Sequence, residues 1–163
     1  MNYKWKGTAG WLQAKGRSDV LEDQLKESLE KIDGCTVITS QHLGAFSDWD
    51  LKLTYPSGIT VTVEVKEDKR CLETGNVAVE LYRVKSNGEV RKTCISVSKA
   101  DYFAYYLGEG QFYFIKTSAL RELLQNRDLY YETFGGDGGT ARNAIFKREI
   151  IEGIAEFIYP ITK

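Results

Sequence analysis

The sequence predicts a mixed α/β domain with a central sheet flanked by helices. Three observations carry this expectation. Two runs, 46–55 and 59–68, alternate apolar and polar residues with the two-residue period of half-buried strands. Residues 18–32 put Val20, Leu21, Leu25, Leu29 and Ile32 on one helical stripe. Further strand-like and helix-like runs then interleave along the chain. With 163 residues the chain suits a single domain with a substantial core.

Taken in order, residues 1–17 read as an irregular aromatic and basic arm with no apolar signal-peptide core. Ser18 reads as the cap of the helix over 18–32, and Gly34 as its terminator. Residues 35–41 form the first predicted strand, followed by the two alternating runs. The next strand is 75–84, with Val77, Val79 and Leu81 on one face and Ala78, Glu80 and Tyr82 on the other. Residues 86–89, Ser-Asn-Gly-Glu, signal a turn into a strand over 90–97. Ser98 opens a predicted helix that ends near Gly108. A compact strand over 111–117 and a helix over 118–126 follow, the latter with Leu120, Leu123 and Leu124 inward. A glycine-rich loop over 134–140 leads to a largely helical 141–157. The expected organisation is a core over 18–117 and a C-terminal helical extension over 118–163.

The two alternating runs fix a register between them. They are joined through Tyr55, Pro56, Ser57 and Gly58. Pro56 suits the first central position of a type I turn, and Gly58 the left-handed position after it. The resulting three-residue loop pairs Tyr55 with Ile59, Asp50 with Glu64, and Asp48 with Lys66. A two-residue loop would put Asp50 against Val63 and scramble the faces. Directly opposed carboxylates repel, and a hard divalent cation such as Mg2+ between them removes the conflict. Lys66 lies one pleat from Glu64 on the same polar stripe. There it can orient a water or stabilise charge in phosphodiester hydrolysis. An ordinary solvated hairpin face is the competing explanation of the same charges.

The bulk properties exclude some classes. The formal net charge is −1 and the pI is about 5.9, so any basic surface is local. No apolar run is long enough to span a membrane. Cys35, Cys71 and Cys94 are odd in number and widely spaced, which fits a reducing cytoplasm better than a disulfide framework. His42 is the only histidine, which argues against a His-rich zinc site or a Ser-His-Asp triad.

The order of elements, with Asp50 in the second strand and Glu64-Val65-Lys66 in the third, resembles the PD-(D/E)XK nuclease superfamily. The likeness covers roughly residues 18–117. It implies a restriction-endonuclease-like core and a Mg2+-dependent (or Mn2+-dependent) endonuclease acting on DNA. Asp50 and Glu64 would ligate the metal, with the main-chain carbonyl of Val65 as a further ligand, and Lys66 would be the catalytic lysine. Glu22 matches the acid that some members carry on the first helix. With Gly16 and Arg17 upstream, this part looks like archaeal Holliday-junction resolvases. The chain departs from the pattern at Trp49, where a proline precedes the acid in the family motif. Asp48 therefore stays a rival to Asp50, which is preferred because it faces Glu64. Many relatives act as dimers, so a homodimer is one expectation.

Around this site, Glu80 is either an accessory carboxylate or an exposed strand residue. Asn76 reads as a turn residue. Lys69, Arg70, Arg83, Lys85, Arg91, Lys92 and Lys99 are candidate DNA-backbone contacts. A charged edge hairpin explains several of them equally well. Ser96, Ser98 and Lys99 would sit at a phosphate-binding helix N-terminus. The glycine loop lacks the Gly-Lys-Ser/Thr ending of a P-loop, and Arg142, Lys147 and Arg148 follow it. The alternatives to a nuclease are a catalytically silent nucleic-acid-binding module on the same fold, or a regulatory protein with an acidic partner face.

Overall fold

The computed structural model describes residues 7–42, 48–135 and 137–161, and the fold is mixed α/β. Helix α1 spans Gly7–Leu29, and strands β1 (Thr36–Thr39), β2 (Leu51–Thr54) and β3 (Thr60–Glu67) follow as an antiparallel meander. The short helix α2 (Cys71–Thr74) leads to β4 (Asn76–Val84) and β5 (Val90–Lys92). Then come β6 (Tyr102–Tyr106), β7 (Gln111–Lys116), α3 (Thr117–Leu123), β8 (Tyr130–Gly135), β9 (Ala141–Lys147), α4 (Arg148–Gly153) and β10 (Phe157–Pro160). No described helix is long and apolar enough to cross a membrane.

The strands form two sheets. The larger has the order β1-β2-β3-β6-β7-β10, antiparallel except where β6 runs parallel to β3. The smaller is antiparallel with the order β5-β4-β9-β8. Leu21, Leu25 and Leu29 of α1 pack on Val37, Leu51, Leu53, Val63, Val65 and Phe114 of the large sheet. On its other face, Phe103, Tyr105, Tyr113 and Ile115 meet Val77, Val79, Ala144 and Phe146 of the small sheet. Leu120 of α3 and Ile151 of α4 join this second core. The molecule is therefore layered helix, sheet, sheet, with hydrophobic burial on both faces of the large sheet. Phe103 is fully buried between the sheets, and Phe103→Ala should cost roughly 3–5 kcal/mol in a urea melt.

The hairpin register over 51–54 and 60–63 is the predicted one, but the expected Asp50–Glu64 pair is not part of the ladder, because Asp50 N–H bonds to the Val63 carbonyl instead. Leu51 pairs with Val63 and Leu53 with Val61, and Tyr55 N–H donates to the Ile59 carbonyl at 2.9 Å. Gly58 takes φ +83°, the left-handed position that the turn demands. The turn over 86–89 also forms, with Lys85 N–H donating to Glu89 O at 2.9 Å.

Several expectations are corrected. Residues 7–17 are helical and continue into α1, so Ser18 is internal rather than a cap. The rest of the expected irregular arm, 1–6, lies outside the described residues, as do residues 46 and 47 of the expected second strand. Val20 is 53% exposed and lies off the buried stripe. The expected strand over 90–97 stops at Lys92, because residues 94–96 form a 3-10 turn with Cys94 at φ +47°.

The expected helix after Ser98 is instead strand β6, central in the large sheet. Its phosphate-binding N-terminus at Ser96, Ser98 and Lys99 is thus withdrawn. The expected helix over 141–157 is β9, α4 and β10, so residues 118–163 are not a helical extension. One face of the large sheet is covered by the small sheet rather than by a helix layer.

Candidate active site

Asp50, Glu64 and Lys66 meet where β2 stops short of β3. β2 begins at Leu51 while β3 runs on to Glu67, so the β3 edge loses its neighbour beyond Val63. Asp50 fills this gap. Its N–H donates to the Val63 carbonyl at 2.9 Å, and its Oδ2 accepts from Val65 N–H at 2.7 Å. The carboxylate replaces the next rung of the ladder, which holds it in place.

Strand alternation puts Glu64 and Lys66 on one face of β3, in register with Phe103 and Tyr105 of β6. Lys66 Nζ donates to Glu64 Oε1 at 2.6 Å. The Ser98 hydroxyl donates to Glu64 Oε2 at 3.3 Å. Arg121 of α3 steadies that loop by donating to the carbonyls of Ile95 and Ser98 at 3.1 and 2.7 Å.

Burial, then the negative charge of Glu64, pushes the Asp50 carboxyl up to about 7. Burial works against the charge of Lys66, but Cys94 once it is a thiolate, together with Glu64 and Asp50, outweighs it and holds the ammonium above its usual range. Glu22 of α1 is 6% exposed, and burial raises its pKa. It accepts from Gln41 Nε2 at 2.9 Å and from Ser18 Oγ at 3.3 Å, and its charge acts on Asp50.

Comparisons with family models, curated proteins and solved structures return no match.

The other expected site residues divide sharply. Asp48 is not opposite Lys66; its Oδ2 accepts from Lys99 Nζ at 3.1 Å, and its carbonyl accepts from Lys99 N–H at 3.2 Å. Asp50, not Asp48, shares the charge cluster. Glu80 faces the same cleft as Glu64 and Lys66. Burial pushes its pKa up, but the bonds and charge of Arg83 outweigh this and lower it. The Arg83 fork meets Glu80 at 3.0 and 2.9 Å.

Lys69 pairs with Glu67 at 3.2 Å and Lys85 with Glu89 at 2.8 Å. Arg70 lines the cleft, and Arg91 and Lys92 lie exposed on β5; these three make no ion pair among the described residues. Arg142 is tied to Glu132 and stacks over Phe134, and Arg148 is tied to Glu109, Glu152 and Tyr113. The His42 side chain lies outside the described residues.

Cys94 and Gln41 are participants that the sequence reading missed. Burial raises the Cys94 thiol to about 11, so it is a neutral neighbour of Lys66 rather than a nucleophile. Its left-handed backbone is the conformation least signalled by a cysteine. Gln41 carried only the signal of a strand-end polar residue.

Among the described residues, no three His, Cys, Asp or Glu side chains group closely enough to enclose a metal. The available donor set is two carboxylates, Asp50 and Glu64, with the Val65 carbonyl beside them in sequence. These hard oxygen donors fit Mg2+, which keeps several waters. The fit has an electrostatic sign as well: burial raises Asp50 most and the charge of Glu64 adds to it, and a cation relieves that second, repulsive part.

Proposed function

We propose that the protein is a Mg2+-dependent (or Mn2+-dependent) endodeoxyribonuclease with a restriction-endonuclease-like core. The observation that carries this reading is the Asp50–Glu64–Lys66 cluster. Two mutually repelling carboxylates share a corner with a lysine whose charge is reinforced. The element order supports it: α1, the β1-β2-β3 meander, and β6 parallel to β3. The connection from β3 to β6 differs by passing through β4 and β5 of a second sheet.

In this reading Asp50 and Glu64 hold the cation, with the Val65 carbonyl as a third donor. A bound divalent ion supplies a polarised phosphate and a water of lowered pKa. Asp50 is pre-positioned by Val65 N–H and needs little rearrangement. Lys66 exchanges its bond to Glu64 for an in-line water or a phosphate oxygen, where its charge stabilises the transition state. Ser98 keeps Glu64 oriented when Lys66 moves away. Glu22 and Glu80 act on the electrostatics from either side.

The test is incubation with linear, flapped and four-way DNA in Mg2+, in Mn2+ and in EDTA. Cleavage of at least one DNA with either ion, and none in EDTA, is the expected result. Intact DNA throughout would sink the proposal, and salt-sensitive binding without cleavage would favour the silent module.

A further inference from the structure

The cleft that holds Glu64 and Lys66 does not end at them. It has a volume of about 710 Å³ and runs along the outer face of the small sheet. Strand register explains its lining. Tyr131 pairs with Ile145, Thr133 with Asn143, Ala78 with Ile145 and Glu80 with Asn143, so these side chains share one face. The opposite face, with Val77, Val79 and Phe146, is committed to the core.

This wall has an unusual composition. Tyr131 is 59% exposed on it, although its neighbour Tyr130 packs against the core with its ring 4.9 Å from that of Phe146. Asn143 is buried, and its Nδ2 is steadied by the Ala141 carbonyl at 3.2 Å. Asn76 Nδ2 donates to the Thr74 carbonyl at 3.1 Å, while its buried Oδ1 accepts nothing from the described residues. A buried acceptor without a donor calls for a partner. Arg70 lines the cleft without an ion pair among the described residues.

We infer that this cleft binds an unpaired stretch of DNA strand, so the substrate class is single-stranded or branched DNA rather than intact duplex. This deepens, and rests on, the nuclease reading. An exposed ring offers a stacking platform only to a base that is out of the duplex stack. Carboxamides on the same wall can meet base edges, as in single-strand recognition. Arg70 supplies a backbone phosphate contact. The cleft is of the size that encloses a small ligand rather than a double helix. A strand seated on Tyr131 continues through the same cleft to Glu64 and Lys66.

The test separates binding from cutting. Fluorescence anisotropy in EDTA compares a labelled single-stranded oligodeoxynucleotide with its blunt duplex, using the full chain. The single strand should bind at least about tenfold more tightly. Tyr131→Ala should weaken it roughly 5- to 100-fold, the range for one base–aromatic stack, while Tyr131→Phe stays near the parent. Thermal melts establish that both variants fold. Equal affinity for duplex, or an unchanged Tyr131→Ala, overturns the inference. Cleavage in Mg2+ is scored separately. Single-strand binding lost in Tyr131→Ala, with no cleavage by the parent, keeps the cleft and removes the nuclease. Duplex cleavage indifferent to Tyr131 does the reverse.

Discussion

Replacing Glu64 with alanine should abolish Mg2+-dependent DNA cleavage, a loss of at least about 10³-fold, while the chain stays folded. The Glu64 side chain is 13% exposed, and its bonds are to Lys66, which can turn to water or to Asp50, and to the buried Ser98, whose hydroxyl still accepts from Ala100 N–H at 3.2 Å. The cost to stability should be roughly 1–3 kcal/mol, read from a urea melt. Lys66→Ala should lower the rate by about 10²–10⁴ through a different route. It leaves both carboxylates in place, so metal binding survives and should tighten, because a competing cation is gone. Calorimetry with Mg2+ therefore separates the two variants: Glu64→Ala loses the ion, and Lys66→Ala keeps it. Metal-dependent cleavage retained in both purified variants would remove the triad from the mechanism.

This site was legible because its geometry is local. Pro56 and Gly58 set the loop, and the loop sets which residue of 51–54 faces which of 60–63, which leaves Asp50 next to the corner where Glu64 and Lys66 follow. The alternation of Leu51 and Leu53 against Val61 and Val63 then excludes the other register. The choice of Asp50 over Asp48 needed more. Asp48 is claimed by Lys99, 51 residues away, a contact that no local pattern announces.

The strands that were misread fail for a related reason. β6 is buried on both faces, so Phe103, Ala104 and Tyr105 show no alternation. Its aromatic run and the polar Ser98 before it look like a capped helix. Only pairing with β3 and β7 makes it a strand. β9 is flanked by β4 and β8, and Ile145, Phe146, Ile150, Ile151 and Ile154 mimic a helical stripe across a strand-to-helix boundary. Missing β8 and β9 meant missing the second sheet, and with it the cleft wall at Tyr131 and Asn143.

Asp50→Asn should make the metal-free protein more stable at pH 8 while eliminating the site. In the folded protein Asp50 holds its proton up to about 7, against an ordinary value near 4 in the unfolded chain. Between those values the native state binds more protons than the unfolded one. Stability therefore falls as pH rises from about 4 to about 7, and the full cost is present above that. Asparagine removes the charge and keeps an acceptor for Val65 N–H, which Oδ2 serves at 2.7 Å. The expected gain at pH 8 is on the order of 1–3 kcal/mol, or several degrees in Tm, vanishing below about pH 4. A divalent ion should reverse the ranking. It binds the ionised carboxylate, so Mg2+ should raise the Tm of the parent, increasingly from pH 6 to pH 8, and leave Asp50→Asn unmoved. Asp48→Asn is the control: it breaks only the exposed pair with Lys99, worth about 0–1 kcal/mol, and should keep the Mg2+ response. A loss of the Mg2+ shift in Asp48→Asn, with the shift intact in Asp50→Asn, would exchange their roles. A metal-free Asp50→Asn less stable than the parent at pH 8 would mean that its bond to Val65, rather than its repulsion with Glu64, dominates the site.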